Sequence, residues 1–152
     1  MSNLLITNGI LFTIDEANTI LEDGAIAIRD GVILALGKTK DLEKNYTDFE
    51  KLDACGMLVM PGLVNTHTHL GATILRGVSD DVDGMAWMPL NWSVMKHVTQ
   101  EDLHLAAKLG IAEMILGGTT CFNDTYQDIA QTAKAVEETG IRADLASGLT
   151  ER

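Results

Sequence analysis

The sequence predicts an α/β fold in two parts, a small antiparallel β unit followed by a parallel sheet whose strands alternate with helices. Three observations carry that prediction. Short apolar runs parted by Asn-Gly and Asp-Gly fill the first 57 residues. From Met57 onward the apolar pattern switches between strand-like runs and helical spacing. The composition, 46% hydrophobic and 22% charged, suits a packed domain rather than a disordered chain. A length of 152 residues suffices for one compact domain or two small ones.

Leu4-Leu5-Ile6-Thr7 and Ile10-Leu11-Phe12-Thr13 read as short strands divided by a turn at Asn8-Gly9. Ala25 to Arg29 and Val32 to Leu36 flank Asp30-Gly31, which supplies the positive φ angles of a tight hairpin. This unit ends near Lys51 to Gly56. Met57-Leu58-Val59-Met60 and Leu63-Val64 then form a nearly continuous apolar run, the pattern of a strand buried on both faces. Leu103 to Leu116 has apolar residues at helical spacing, including Leu105, Leu109, Ala112 and Leu116. Thr99-Gln100-Glu101-Asp102 offers that helix a capped start, and Gly117-Gly118 a stop. Thr119 to Asn123 reads as a second strand. Ile129, Ala133 and Val136 share a face of a second helix ending at Gly140, and Ile141 to Leu149 reads as a third strand. Strands alternating with helices pair in parallel through right-handed crossovers. Three strands and two helices leave such a sheet unfinished, so the chain reads as truncated, with more barrel to follow. The two parts are residues 1–57 and 58–152.

A net charge of −11 argues against nucleic acid or an anionic membrane surface as partner, since neither attracts a polyanion. The two cysteines, Cys55 and Cys121, form no CxxC pair, which fits reduced thiols rather than a disulfide framework. Met1 to Asn8 carry no secretory pattern, and no run reaches the roughly 18 apolar residues of a spanning helix. These features lead us to expect a cytoplasmic protein. They leave homo-oligomerisation open.

Asn65-Thr66-His67-Thr68-His69 carries the chemistry. Side chains alternate along a strand, so His67 and His69 point the same way. Two such imidazoles can converge on one ion with bonds of about 2.0–2.1 Å. The pair stands at the C-terminal end of the apolar run, where parallel α/β barrels build their active sites. Asn65 shares their parity and could orient a ligand from behind. Neutral imidazole suits zinc, iron or nickel. In the alternative reading, two interior histidines each need a hydrogen-bond partner from the backbone.

Met60-Pro61-Gly62-Leu63-Val64-Asn65-Thr66-His67-Thr68-His69 resembles the strand-one signature of the amidohydrolase superfamily. Leu75-Arg76-Gly77-Val78-Ser79-Asp80-Asp81, Trp87 and Gly118-Thr119-Thr120-Cys121-Phe122-Asn123-Asp124-Thr125-Tyr126 are similar to its deaminase and chlorohydrolase branch, nearest to the 5′-methylthioadenosine/S-adenosylhomocysteine deaminases. The resemblance covers essentially the whole chain. It implies an N-terminal β-sandwich portion over residues 1–57 and the start of a (β/α)8 TIM-type barrel over 58–152. It also implies one divalent metal, zinc ahead of iron, with His67 and His69 as the first two ligands. Two histidines and an aspartate on later strands would complete the set. The implied reaction is hydrolytic displacement on a small heterocycle, the metal acidifying a water and an acid downstream of Arg152 protonating the leaving group. No catalytic acid or base is assigned within the chain.

Lys96 falls where those deaminases carry a ribose-binding glutamate, and Ser147 where they carry a substrate-contacting arginine. The implied substrate therefore widens to an aminated or halogenated heterocycle. A triazine-type chlorohydrolase and a cyclic amide hydrolase are the alternatives among enzymes, and an inactive fragment or scaffold is the alternative outside them. Trp87 and Trp92 offer an aromatic wall for a planar substrate. Asp124 and Tyr126, at the end of the second strand, are read as facing the pocket, with Trp87 and Lys96 as the other substrate contacts. Arg76 is expected to pair with Asp80 or Asp81, Cys121 to be a small core residue, and His97 and His104 to lie on the surface.

Overall fold

Asn8 and Gly9 do not turn the chain; they bulge it. Strand β1 runs unbroken over Asn3–Phe12, and its pairing slips register between Ile6 and Gly9. Asn8 takes φ 53°, a left-handed conformation that asparagine tolerates. Its amide donates to Thr39 Oγ1 (2.9 Å) and its side-chain amide to Asp53 Oδ1 (3.0 Å). A Cβ on Gly9 would come within 2.9 Å of Val59 Cγ2. The expected turn is thus a β-bulge inside one long strand.

The computed structural model describes residues 3–148, in two units that part between Pro61 and Gly62. The first unit holds β1, β2 (Ile20–Arg29), β3 (Val32–Lys38), α1 (Thr39–Asn45), β4 (Glu50–Asp53) and β5 (Leu58–Val59). These strands form one sheet in the order β3-β2-β1-β4, with β5 also paired to β1. Asp30 (φ 51°) and Gly31 (φ 78°) make the β2–β3 hairpin as the sequence predicts. The sheet is mixed rather than purely antiparallel, because β4 and β5 run parallel to β1. Parallel return needs a crossover, and α1, an element additional to those expected, supplies it between β3 and β4. On one face Leu5, Ala25 and Ala27 pack with Leu42 of α1 and Phe49. The other face carries the paired aliphatics Leu4, Ile6, Ile26, Ile28, Ile33 and Leu36. Ile33 and Leu36 on that face are exposed.

The apolar run from Met57 to Val64 serves two strands, not one. Leu58 and Val59 pair with β1, whereas β6 (Leu63–Thr68) opens the second unit, beyond the interruption at Met60-Pro61-Gly62. After β6 come a 3-10 helix (Leu70–Leu75), a shorter one (Gly84–Ala86), α2 (Trp87–Met95), α3 (Gln100–Leu116), β7 (Thr119–Tyr126), α4 (Ala130–Thr139) and β8 (Arg142–Ser147). The three strands are parallel, in the order β6-β7-β8. Helix α2 also is additional to the expected elements. Leu149, the expected end of the third strand, lies outside the described residues. Since β6 is an edge strand and helices cover the sheet on one side, Leu63 and Val64 are exposed rather than buried on both faces.

Helix α3 starts at a reciprocal capping box, in which Asp102 N–H donates to Thr99 Oγ1 and Thr99 N–H to Asp102 Oδ2. Its buried stripe is Leu103, Ala107, Gly110 and Ile111, packed with Leu70, Phe122, Ala135 and Ile141. The stripe picked out by spacing, Leu105, Leu109, Ala112 and Leu116, is exposed, with Leu116 at 89%. Period 3.6 identifies a helix but cannot choose between two apolar stripes on it. Helix α4 ends at Gly140 in the left-handed conformation (φ 73°), as a C-terminal glycine should. Among the described residues no helix is long and apolar enough to cross a membrane.

Candidate metal centre

Strand β6 reaches its histidines through an irregularity. Asn65 pairs with Phe122 and Thr68 with Asp124, so three steps on β6 match two on β7. This extra residue puts Asn65 on the helix-covered side with Phe122, where its amide lies 3.7 Å from Met114 Sδ. Asn65 therefore does not share the histidine face, although regular alternation predicts that it should. It braces the backbone instead, accepting from the His67 amide at 3.3 Å.

His67 and His69 do share a face. Their ring centroids are 4.9 Å apart at 76°, and the two Nε2 atoms stand 3.3 Å from each other. Two nitrogens bound at about 2.0–2.1 Å to a tetrahedral ion are separated by roughly 3.3–3.4 Å, so the spacing is that of one tetrahedron edge. His69 Nδ1 lies 2.6 Å from the Thr125 carbonyl oxygen. A carbonyl only accepts, so the proton is on Nδ1 and the Nε2 lone pair is left for a cation. Both rings are exposed, in contrast to the interior strand expected from sequence, because β6 is at the sheet edge. Among the described residues no cluster of three or more His, Cys, Asp or Glu forms a metal site, so the pair supplies two ligands.

The other expected site residues separate into groups. Asp124 is fully buried, and its carboxylate receives the Leu70 amide (3.0 Å) and the hydroxyls of Thr68 (3.0 Å) and Thr132 (3.3 Å). It faces the helices, not an open pocket, and in this position cannot touch a substrate. Tyr126 is half-buried, 6.1 Å from the His69 ring, with its hydroxyl 3.7 Å from Met95 Sδ. Burial pushes its phenol above the usual 10.0, and the nearby Asp124 charge adds to the rise. Trp87 (41% exposed) and Trp92 (58%) are on α2, and Lys96 caps its C-terminal end. Among the described residues no side-chain hydrogen bond or ring contact joins Trp87 or Lys96 to the histidines.

Arg76 does not pair with Asp80 or Asp81 but forms a two-pronged bridge to Glu113 (2.7 and 2.8 Å), since the turn after Leu75 runs against α3. That contact holds the Glu113 carboxyl below its ordinary range. His104 is not a surface residue: it is buried between α3 and α4, near the Gln131 carbonyl (3.3 Å) and Glu138 (3.2 Å). His97 is exposed, as expected. The Thr125 carbonyl has no counterpart in sequence reasoning, because a main-chain oxygen leaves no residue signature.

The Amidohydrolase family model matches residues 58–152, well over half of the chain. The chain belongs to the amidohydrolase family. The match takes in β6, β7 and both histidines of this amidohydrolase. It is 42% identical over 141 residues to the 5-methylthioadenosine/S-adenosylhomocysteine deaminase of Nitratidesulfovibrio vulgaris (strain DSM 19637 / Miyazaki F), covering 92% of this chain and 32% of the relative. Among solved structures it is similar to an adenosine deaminase from Xanthomonas campestris with bound zinc: TM-score 0.78, 36% identity, 93% of this chain and 33% of that one. It is also similar to an atrazine chlorohydrolase from Arthrobacter aurescens TC1 complexed with zinc: TM-score 0.82, 26% identity, 95% of this chain and 35% of that one. The amidohydrolase chain thus spans about a third of the length of the curated relatives it matches.

Proposed function

We propose that this segment supplies the first two ligands of a hydrolytic deaminase that acts on an aminated heterocycle or nucleoside of the methylthioadenosine/S-adenosylhomocysteine type. The observation that carries the reading is the pair of Nε2 atoms 3.3 Å apart, one of them freed by the bond from Nδ1 to the Thr125 carbonyl. The zinc complexes of the structural neighbours support zinc as the ion. When bound, a divalent ion supplies the acidity that makes water a nucleophile at neutral pH. His67 and His69 would bind it through Nε2, and the Thr125 carbonyl would orient the His69 ring. The OH–S contact from Tyr126 to Met95 brings the end of α2 beside the pair. From there Trp87, Lys96 and Tyr126 would take the heterocycle, by ring stacking for the aromatics and a cationic tip for Lys96. The same reading makes β6, β7 and β8 the first strands of a (β/α)8 barrel. It makes the uncovered aliphatic face of the first unit the inside of a β-sandwich.

Ammonia release from a panel of purines, pyrimidines and aminotriazines tests the reaction, using the protein that carries this segment. Zinc loading should be required, and His69→Ala should abolish both zinc retention and turnover. A zinc-loaded protein that releases neither ammonia nor halide from any member would sink the reaction class. The likeness to the atrazine chlorohydrolase favours a second reading, chloride displacement, which the same panel distinguishes by halide rather than ammonia. In a third, the 152-residue chain by itself is a scaffold without activity. A two-histidine site should lose zinc readily to a chelator, whereas a stoichiometric, chelator-resistant ion would exclude that reading.

A further inference from the structure

Three consecutive residues beyond β6 are each held by one of three consecutive residues at the end of β7. His69 donates from Nδ1 to the Thr125 carbonyl at 2.6 Å. The Leu70 amide donates to Asp124 Oδ1 at 3.0 Å. The Tyr126 ring fills the space where a Cβ on Gly71 would stand, its Cε1 being 2.5 Å from that position. We infer that the Asp124-Thr125-Tyr126 end of β7 is a positioning clamp for His69, fixing where its ring sits and which nitrogen it presents to His67.

No single contact does this alone. A hydrogen bond to the ring leaves the backbone free to shift, and a backbone anchor leaves the ring free to rotate about its side-chain torsions. Together they remove both freedoms. The clamp is itself backed from behind. Asp124 is fully buried and also receives Thr68 and Thr132, so it cannot follow a displaced Leu70. Tyr126 touches Met95 of α2 through its hydroxyl, which limits how far the ring can swing away from Gly71. A methyl at position 71 would therefore push the 3-10 turn, and His69 at its start, off the Thr125 carbonyl. On this account Asp124 and Tyr126 are positioning residues for His69, and for Tyr126 this role is additional to stacking on the heterocycle. The inference rests on the metal reading above, but its primary readout needs no metal.

The test uses the full chain and the variants Gly71→Ala, Tyr126→Leu, Gly71→Ala/Tyr126→Leu and, as a core control that shares the Leu70 cluster but makes none of the three contacts, Ile141→Ala. Ring 15N shifts report the His69 tautomer, Co2+ alone titrated against the His67 and His69 ring signals reports affinity, and thermal unfolding reports stability. The parent chain should show the Nδ1–H tautomer. Gly71→Ala should lose it and weaken Co2+ binding by about 10–100-fold, the usual cost of removing a ligand's support. Tyr126→Leu, which introduces no clash, should weaken binding less. The double variant, with room restored, should recover most of what Gly71→Ala lost. Ile141→Ala should lower the unfolding temperature while leaving tautomer and affinity unchanged. Parental tautomer and affinity in Gly71→Ala or in Tyr126→Leu would overturn the clamp. So would an equal loss in Ile141→Ala, or a parent chain that lacks the Nδ1–H tautomer. A parent with the tautomer but no response to Co2+ would overturn the metal reading and leave the clamp standing.

Discussion

Asp124 illustrates how a polar residue near a site can belong to the frame rather than the chemistry. Its carboxylate serves the Leu70 amide and two threonine hydroxyls in a place closed to water. Asp124→Ala would strand the Leu70 amide and the Thr132 hydroxyl in a dry site, whereas the Thr68 hydroxyl keeps the Asn123 carbonyl (2.8 Å) as acceptor. With hydrogen bonds to a carboxylate contributing about 1.5–3 kcal/mol and each orphaned group costing a similar amount, we expect a loss of roughly 3 kcal/mol. Urea unfolding measures it, and a change below about 1 kcal/mol would show that the network is dispensable. The sequence made the histidine pair legible because two-residue spacing is enough to align side chains on a strand. It could not reveal that an extra residue between Asn65 and Thr68 moves Asn65 to the other face. Nor could it separate Asp124 from Tyr126, since both carry the same parity and differ only in what packs over them.

At the level of elements, chemical signals in the sequence locate structure and purely apolar ones do not. Asp30-Gly31, the Thr99 capping box and Gly140 each act through a specific φ or hydrogen bond, and each is where the sequence predicts. The run from Met57 to Val64 and the stripe from Leu105 to Leu116 have no such marker. The first is cut in two by Met60-Pro61-Gly62, the second lies on the exposed side of α3. The capping box also makes a pH-dependent prediction. The Thr99 hydroxyl and amide lower the Asp102 carboxyl from its ordinary 3.8. A depressed carboxyl contributes stability that is present above its unfolded value and lost as pH falls through the folded one. Thr99→Ala should therefore lower the chain's resistance to urea at pH 7. Below pH 3.8 the gap between variant and parent should narrow; a gap that stays constant into acid would contradict the role of the carboxylate.

The whole molecule leaves apolar surface open in both units. Ile33, Leu36 and Leu52 lie on the uncovered side of the first sheet, and Leu105, Leu109 and Leu116 on the outer side of α3. Contiguous patches of this kind mark surfaces that another element or molecule covers. The 152-residue chain should bind a hydrophobic dye in its native state and associate as its concentration rises, and Leu105→Glu/Leu109→Glu should reduce both. Sedimentation decides between that outcome and a monodisperse, dye-silent monomer. At this scale the alternation of strands and helices is legible from Gly62 onward where a helix carries its own cap or stop, as α3 and α4 do, and not at α2, which has no side-chain cap. The mixed pairing of the first sheet was not, because it depends on a short crossover helix whose sequence, Thr39 to Asn45, is mostly polar.

The acceptor that selects the His69 tautomer is the Thr125 carbonyl, and every amino acid at position 125 would bring the same oxygen. An alanine scan would pass over it in silence, and sequences could drift there without disturbing the ring. Only a change to the main chain itself, such as an ester replacing the peptide link that follows Thr125 and thereby weakening its carbonyl as an acceptor, would expose how much the imidazole owes to it.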